Sequence, residues 1–191
     1  MTTKKVLSPV QVAVGSFWGG PLAAIYFLKH NFQSKGMERE ADKTFFIGLV
    51  LVLIFGAAAA FLPESAGGAT FAVVYVVPAF YIAQNMQFKK EFIQESEEYS
   101  FFSNWKIFGI GFITLAAVLI LFIVEAFVIE MLVNMICQSL PIPWEEQQKL
   151  LELPDVALRL AVVCQFMDSE LKAERNIEKF NQIIPIDPEW N

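Results

Sequence analysis

Four long stretches of this sequence carry no charged residue, and they constrain its fold more than any other feature. A helix rises about 1.5 Å per residue, so about 20 apolar residues cross the ~30 Å hydrocarbon core of a membrane. The uncharged stretches cover residues 6–28, 44–62, 69–87 and 107–124. They predict an all-α helical membrane protein with three or four transmembrane helices, followed by a C-terminal amphipathic helical tail.

The second and third stretches are close in sequence and predict two antiparallel spans. Residues 44–62 lie between Lys43 and Pro63, and residues 69–87 end shortly before Lys89. Pro78 lies inside the third stretch, where neighbouring membrane helices can satisfy the carbonyl that a proline leaves free. Residues 63–68 are too few for more than a tight turn, so we expect a hairpin of two spans.

The last stretch is followed by more apolar sequence than one crossing needs. It begins after Trp105, and the apolar pattern runs on to residue 136 with Glu125 and Glu130 inside it. Trp is typical of the membrane interface, and charged side chains are costly in hydrocarbon. We therefore expect one helix over residues 107–136 whose last turns lie outside the bilayer.

The first stretch, residues 6–28, is long enough to span but is interrupted by Gly19, Gly20 and Pro21. It fits a kinked spanning helix, or a re-entrant segment that enters and leaves on one side. A signal peptide fits less well, because the apolar part is too long and no small-residue cleavage site follows. The Gly-Gly-Pro interruption fits an unwound helix of the kind found in transporters. It fits a close contact between helices better, because small residues let membrane helices approach.

The distribution of positive charge predicts an orientation. The connections at residues 29–43 and 88–106 carry Lys and Arg, whereas residues 63–68 carry neither. Lys and Arg concentrate in cytoplasmic loops. We therefore expect both longer connections in the cytoplasm and residues 138–191 outside it. Lys4 and Lys5 agree with this rule only if the first stretch is re-entrant.

The chain divides into a predicted membrane bundle, residues 1–137, and an acidic extramembrane tail, residues 138–191, with ten Asp/Glu and five Lys/Arg. The tail predicts a short helix over residues 144–153 and a longer one from 155 to about 184. The longer helix is amphipathic, because apolar residues recur at helical spacing from 156 to 167. Cys137 and Cys164 fit either a disulfide or two buried free thiols.

Composition excludes some classes of function. No cluster of Lys or Arg forms the basic patch that nucleic-acid binding requires, so we expect no nucleic-acid partner. His30 is the single histidine and neither cysteine belongs to a C-x-x-C pair, so we expect no metal or cofactor site. No nucleophile and base can be paired from the sequence, and no catalytic residue is predicted.

Six residues are candidates for polar or packing roles. Glu125 is a candidate for proton or ion handling, but its place at the end of an apolar run fits an interfacial residue better. Glu130 and Asn134 lie four positions apart on one helical face, which predicts a polar contact with the tail. Gly19, Gly20 and Pro21 complete the set as the candidates for close packing.

The N-terminal part of the chain contains a pattern of S-P-x-Q at residues 8–11, G-G-P-L-A at residues 19–23 and N-F at residues 31–32. This pattern resembles the opening of a group of small bacterial multi-pass inner-membrane proteins. That group also has a hairpin of two spans and a further span after a Trp-containing stretch, here Trp105. The likeness covers residues 8 to about 124. The group has no established activity, so the resemblance implies a bacterial inner-membrane location only.

These features predict a non-enzymatic membrane protein that contacts the lipid bilayer and a protein partner or a second copy of itself. One form is an accessory or immunity-type protein that binds its partner through the tail. The alternative is an oligomeric small transporter or channel subunit. Its polar lining would come from residues scattered over the spans, namely Gln11, Ser16, Tyr75, Tyr81, Gln84, Asn85, Thr114 and Glu125.

Overall fold

A computed structural model describes residues 3–59 and 68–183 of the chain. The protein is an all-α helical membrane protein with two very short strands in these ranges. In chain order the elements are β1 (Lys4–Val6), α1 (Pro9–Ser34), α2 (Glu38–Ala59), α3 (Gly68–Met86), α4 (Lys90–Glu95), β2 (Tyr99–Phe101), α5 (Asn104–Ser139), α6 (Trp144–Leu151) and α7 (Val156–Ile183).

Three described helices are long and apolar enough to cross a membrane: Pro9–Ser34, Glu38–Ala58 and Asn104–Ser139. Helix α3 has 19 residues, which corresponds to about 28 Å and so nearly matches the hydrocarbon thickness. The predicted spans at 44–62, 69–87 and 107–136 therefore fall on α2, α3 and α5. Residues 60–62, and the predicted turn except for Gly68, lie outside the described residues.

Helix α1 begins with strong local signals. Ser8 is the N-cap: its hydroxyl accepts a hydrogen bond from the Gln11 N–H, and the Gln11 side chain accepts one from the Ser8 N–H. This reciprocal pair is a capping box. Pro9 occupies the first turn, where its missing N–H costs nothing. The sequence S-P-x-Q is therefore explained by helix initiation.

Helix α1 is broken at Gly20, which has φ 75° and ψ −170°. This backbone conformation is open to glycine and costs other residues about 1–3 kcal/mol. Pro21 follows at once and starts a new helical segment. The interruption that the sequence shows is therefore a real break, with arms at residues 9–19 and 21–34.

The two arms of α1 form a hairpin. In a straight helix, Leu7 and Asn31 would be about 36 Å apart, because 24 positions each rise about 1.5 Å. The Leu7 N–H instead donates to Asn31 Oδ1 at 2.9 Å, and the Lys5 carbonyl lies 2.9 Å from His30 Nε2. The chain therefore reverses at Gly20 and returns to the end from which it started.

The geometry of the hairpin bears on the two alternatives for residues 6–28. The first arm has a length of about 16 Å and the second of about 21 Å, and both are shorter than the ~30 Å hydrocarbon core. A segment whose two ends lie together and whose arms are each too short to cross has the geometry expected of a re-entrant segment. The geometry therefore supports the re-entrant alternative over the kinked spanning helix.

A two-stranded parallel sheet, which the sequence did not predict, lies at the ends of the hairpin. In it Lys4 pairs with Tyr99 and Val6 pairs with Phe101. Val6 also packs with Phe88 and Ile93 in a small buried cluster. Each strand has three residues, and its partner is about 95 positions away, so neither shows the alternation that marks a strand in sequence.

The hairpin also brings the positive charges together. Lys35 donates to the carbonyl of Met86 at 2.8 Å, so the start of α2 and the end of α3 lie at the same end of the bundle as the N-terminus. Gln11 binds Asn104 at 2.8 Å, which places the start of α5 there as well. All nine Lys and Arg residues of the first 137 positions belong to this basic end: Lys4, Lys5, Lys29, Lys35, Arg39, Lys43, Lys89, Lys90 and Lys106.

The chain packs as two compact units, Met1–Ala126 and Phe127–Asn191. The first holds the hairpin, α2, α3 and most of α5. The second holds the end of α5 with α6 and α7, around buried side chains of Val133, Cys137, Leu150 and Val163. The division of packing falls inside α5, between Ala126 and Phe127. The predicted boundary at residue 137, between the membrane bundle and the extramembrane tail, stays a prediction.

The hairpin predicts that the N-terminus and both longer connections are on one side of the membrane. We expect Thr3→Cys, Arg39→Cys and Glu97→Cys, each in a background without Cys137 and Cys164, to react with a membrane-impermeant maleimide from the same side. All three positions are exposed. Labelling of Thr3→Cys from the opposite side to the other two would show that residues 6–28 span.

Candidate functional site

Two buried amides hold the hairpin closed and attach it to α3. The fully buried Asn31 side chain donates to the Leu7 carbonyl at 2.8 Å and to Gln87 Oε1 at 3.0 Å, and it accepts from the Leu7 N–H. Gln87 then donates to the Leu28 carbonyl at 2.8 Å. We call this set of four residues the amide clamp. It pairs polar backbone groups that would be costly to bury alone.

Glycines on the first arm of the hairpin allow close packing. A Cβ added at Gly15 would overlap the rings and methyl groups of Phe27 and Ile107. A Cβ added at Gly19 would overlap the backbone of Gly111 on α5. Gly15-x-x-x-Gly19 is thus a small-residue contact surface of the kind common between membrane helices.

The three interruption residues therefore have different roles. Gly19 is a packing residue, as the sequence predicts. Gly20 provides the reversal, and Pro21 starts the second arm. Pro21 also lines an apolar cavity between that arm, α2 and α3.

This apolar cavity has a volume of about 640 Å³ and lies entirely within the first unit. Its lining is almost wholly hydrocarbon, including Ile25, Leu51, Val74 and Ile82. The volume is within the ~300–1,000 Å³ range of small-molecule sites. Among the described residues, the charged side chains that line it are Glu40 and Lys43.

Glu125 lies on the far side of the bundle from the basic end. Its carboxylate packs against Gly56 of α2, where an added Cβ would overlap Oε2. Gly56 is 18 positions along α2 from Glu38, or about 27 Å. Glu125 Oε2 is buried and has no hydrogen-bond partner among the described residues. This position fits an interfacial residue that a glycine accommodates.

In the second unit, Glu130 and Asn134 meet a buried arginine of α7. Arg159 is 4% exposed, and its guanidinium donates to Asn134 Oδ1 and, at 3.3 Å, to Glu130 Oε1. The Glu130 side chain is 47% exposed, so solvent screens part of this interaction. The two candidates thus form a polar contact between α5 and the tail helix.

Cys137 and Cys164 are both free thiols, and the disulfide alternative does not describe this structure. Cys137 is buried in the apolar core of the second unit, whereas Cys164 lies on an exposed face of α7. The alternative of two buried thiols is therefore correct for Cys137 only.

Four of the eight polar residues proposed for a transport path bond to other parts of the protein. Ser16 donates to the Val12 carbonyl, Asn85 to the Tyr81 carbonyl and Thr114 to the Ile110 carbonyl, each within its own helix. Gln11 is used in the contact with α5. Of the eight proposed residues, Tyr75 alone lines the apolar cavity.

Sequence reasoning missed the amide clamp, Arg159 and the cavity. Asn31 and Gln87 were visible as polar residues at the ends of two apolar stretches, but nothing in the sequence pairs them. The burial of Arg159 could not be predicted, because an arginine on an amphipathic helix normally faces solvent. In the described part of the chain, no three His, Cys, Asp or Glu side chains come together as a metal site.

The amide clamp predicts a large loss of stability on Asn31→Leu. This change leaves both polar groups of Leu7 and the Gln87 oxygen unpaired in a buried site, at about 1–3 kcal/mol each. SDS titration in mild detergent measures the loss. Asn85→Leu is the matched control, because Asn85 is exposed and binds only its own helix; we expect it to change stability by less than about 0.5 kcal/mol. Equal effects of the two changes would contradict the role of the clamp.

The thiols predict selective alkylation. At pH 8 we expect native protein to take up one maleimide at Cys164, because Cys164 is exposed whereas Cys137 is buried and out of reach of the reagent. Intact mass measures the uptake. Cys137→Ser should still take up one label and Cys164→Ser none before unfolding. Rapid labelling of native Cys164→Ser would contradict the burial of Cys137.

Similarity to known proteins adds no family assignment to this geometry. No family model, curated protein or solved structure matches the chain. Function must therefore be argued from the sites themselves.

Proposed function

We propose that this protein is a non-enzymatic accessory protein of the bacterial inner membrane that binds a protein partner through α7. The observation that carries the proposal is the uneven packing of this helix. Its first half buries Arg159 and Val163, whereas Met167, Leu171 and Ile177 are each more than half exposed. Met167 and Leu171 continue, at four-residue spacing, the face that starts with Val163.

Such a face is typical of helix recognition. An apolar stripe on a helix binds partners through side chains three and four positions apart. Among the described residues, no other element covers Met167 or Leu171. Acidic residues beside the stripe, Glu170 and Glu174, favour a partner with positive charge at the edge of its binding surface, whereas Asp168 is already paired with Lys172 at 2.6 Å. An immunity-type block of a partner that acts at the membrane is one form of this function.

The orientation rests on the hairpin. Because the N-terminus lies at the basic end, Lys4 and Lys5 agree with the other seven basic residues of the bundle. The positive-inside rule then favours a cytoplasmic basic end. Helix α5 starts there and crosses once, so the tail is outside the cytoplasm. The resemblance of the N-terminal pattern to bacterial inner-membrane proteins supports this location.

The alternative, an oligomeric transporter or channel subunit, has less support. A solute path needs polar groups that converge on a common lumen. Three of the eight candidates, Ser16, Asn85 and Thr114, bind carbonyls of their own helices instead, and the cavity of the first unit is apolar. The exposed face of α7 has no role in that alternative.

Site-specific photo-crosslinking of the full-length protein in bacterial membranes tests partner binding. We expect a benzophenone side chain at Met167 or Leu171 to give an adduct of defined mass. The same group at Gln165 or Lys172, which are exposed on other faces of α7, should give none. Equal adducts at all four positions, or no adduct at any of them, would contradict binding of a partner through this face of α7. An adduct of twice the chain mass would indicate self-association instead of an accessory role.

A further inference from the structure

The apolar cavity of the first unit has the length and opening of a site for a lipid chain. On α2 its lining runs from Glu40 to Ala58, which is about 27 Å along the helix. One acyl chain covers one leaflet, or about half of the ~30 Å hydrocarbon core, so the cavity is long enough to hold one chain. Several lining side chains are more than half exposed, so the cavity opens sideways to the membrane: Ile47, Leu51, Ile54 and Val74.

The floor of the cavity is preformed. The second arm of the hairpin contributes Ala24 and Leu28, and α3 contributes Ala79, all of them buried. The amide clamp fixes that arm against α3. A rigid apolar floor distinguishes this cavity from the ordinary lipid-facing surface of a helix.

The mouth of the cavity at the basic end carries one charge of each sign. Lys43 Nζ and Glu40 Oε1 are 3.5 Å apart, three positions apart on α2. Both side chains are partly exposed, and such pairs are weak enough to open. Lys35 is close by, but its ammonium already binds the carbonyls of Met86 and Gln87. A headgroup that enters between Glu40 and Lys43 therefore contacts one negative and one positive side chain.

We propose that this cavity binds one phospholipid whose headgroup carries both a phosphate and a primary ammonium. One acyl chain lies in the cavity between the second arm, α2 and α3. The phosphate pairs with the Lys43 ammonium, and the lipid ammonium donates to the Glu40 carboxylate. A quaternary ammonium has no N–H to donate to Glu40, and a glycerol headgroup leaves Glu40 facing the phosphate.

Native mass spectrometry of the full-length, delipidated protein in detergent tests the site. The probe is an equimolar mixture of phosphatidylethanolamine, phosphatidylcholine and phosphatidylglycerol with identical acyl chains. We expect one phosphatidylethanolamine per chain, retained about fivefold over each of the other two, since one charge contact near a membrane surface has an effect of that order. Equal retention of the three lipids would overturn the proposal, as would a preference for phosphatidylglycerol.

Two adjacent positions on α2 give a matched test of the cavity. Leu51→Trp fills the cavity, whereas Val50→Trp makes the same addition on an exposed surface outside the lining. We expect Leu51→Trp to lower lipid retention about tenfold and Val50→Trp to leave it unchanged. If the two variants retain lipid equally, the bound lipid is only part of the general lipid surface and the proposal fails.

Glu40→Gln tests the headgroup without touching the core. We expect this variant to lose its preference for phosphatidylethanolamine over phosphatidylglycerol, because the carboxylate that accepts the ammonium is gone. Lys43→Gln should weaken both lipids, while Lys106→Gln, the same change elsewhere at the basic end, should weaken neither. An unchanged preference in Glu40→Gln would overturn the assigned headgroup contact.

Discussion

Backbone groups that leave regular structure next to a membrane must find partners inside the protein, and the amide clamp meets this constraint. Leu7 connects β1 to α1 and belongs to neither. Its N–H and carbonyl both pair with Asn31, and Asn31 in turn binds Gln87 of the segment after α3. One buried side chain therefore closes the hairpin and joins it to the next helix. Without this pairing, both polar backbone groups of Leu7 would be buried with no partner.

The rest of the first unit follows from the closed hairpin. The reversal at Gly20 returns the chain to its start, which places β1 beside β2 and brings the basic residues to one end. The short arms leave room between the second arm, α2 and α3, and this room is the apolar cavity. Small residues bring the first arm close to α5. Because Gly15 and Gly19 have no side chain, the backbone of the first arm lies directly against α5.

The second unit depends on a different interaction. A buried arginine needs partners for its charge and its donors, and Arg159 finds them in Glu130 and Asn134 on α5. The contact fixes which face of α7 turns inward along its first half. Met167 and Leu171 lie further along the same face, beyond the buried part, and are more than half exposed. They form the surface that we assign to a partner, and an arginine that the sequence pattern places toward solvent instead anchors the face that carries it.

The sequence by itself determined the class of protein, the positions of α2, α3, α5 and α7, and the place of the one interruption in α1. Those features follow from local composition: uncharged length, helical spacing and a Gly-Gly-Pro run act within a few turns of the chain. Only the tertiary structure decided that the interruption reverses the chain, that Asn31 meets Gln87, and that Arg159 is buried. Each of these joins residues 24 or more positions apart, and a single sequence carries no signal for which distant polar groups pair. The short strands were missed for the same reason, since each exists only through its distant partner.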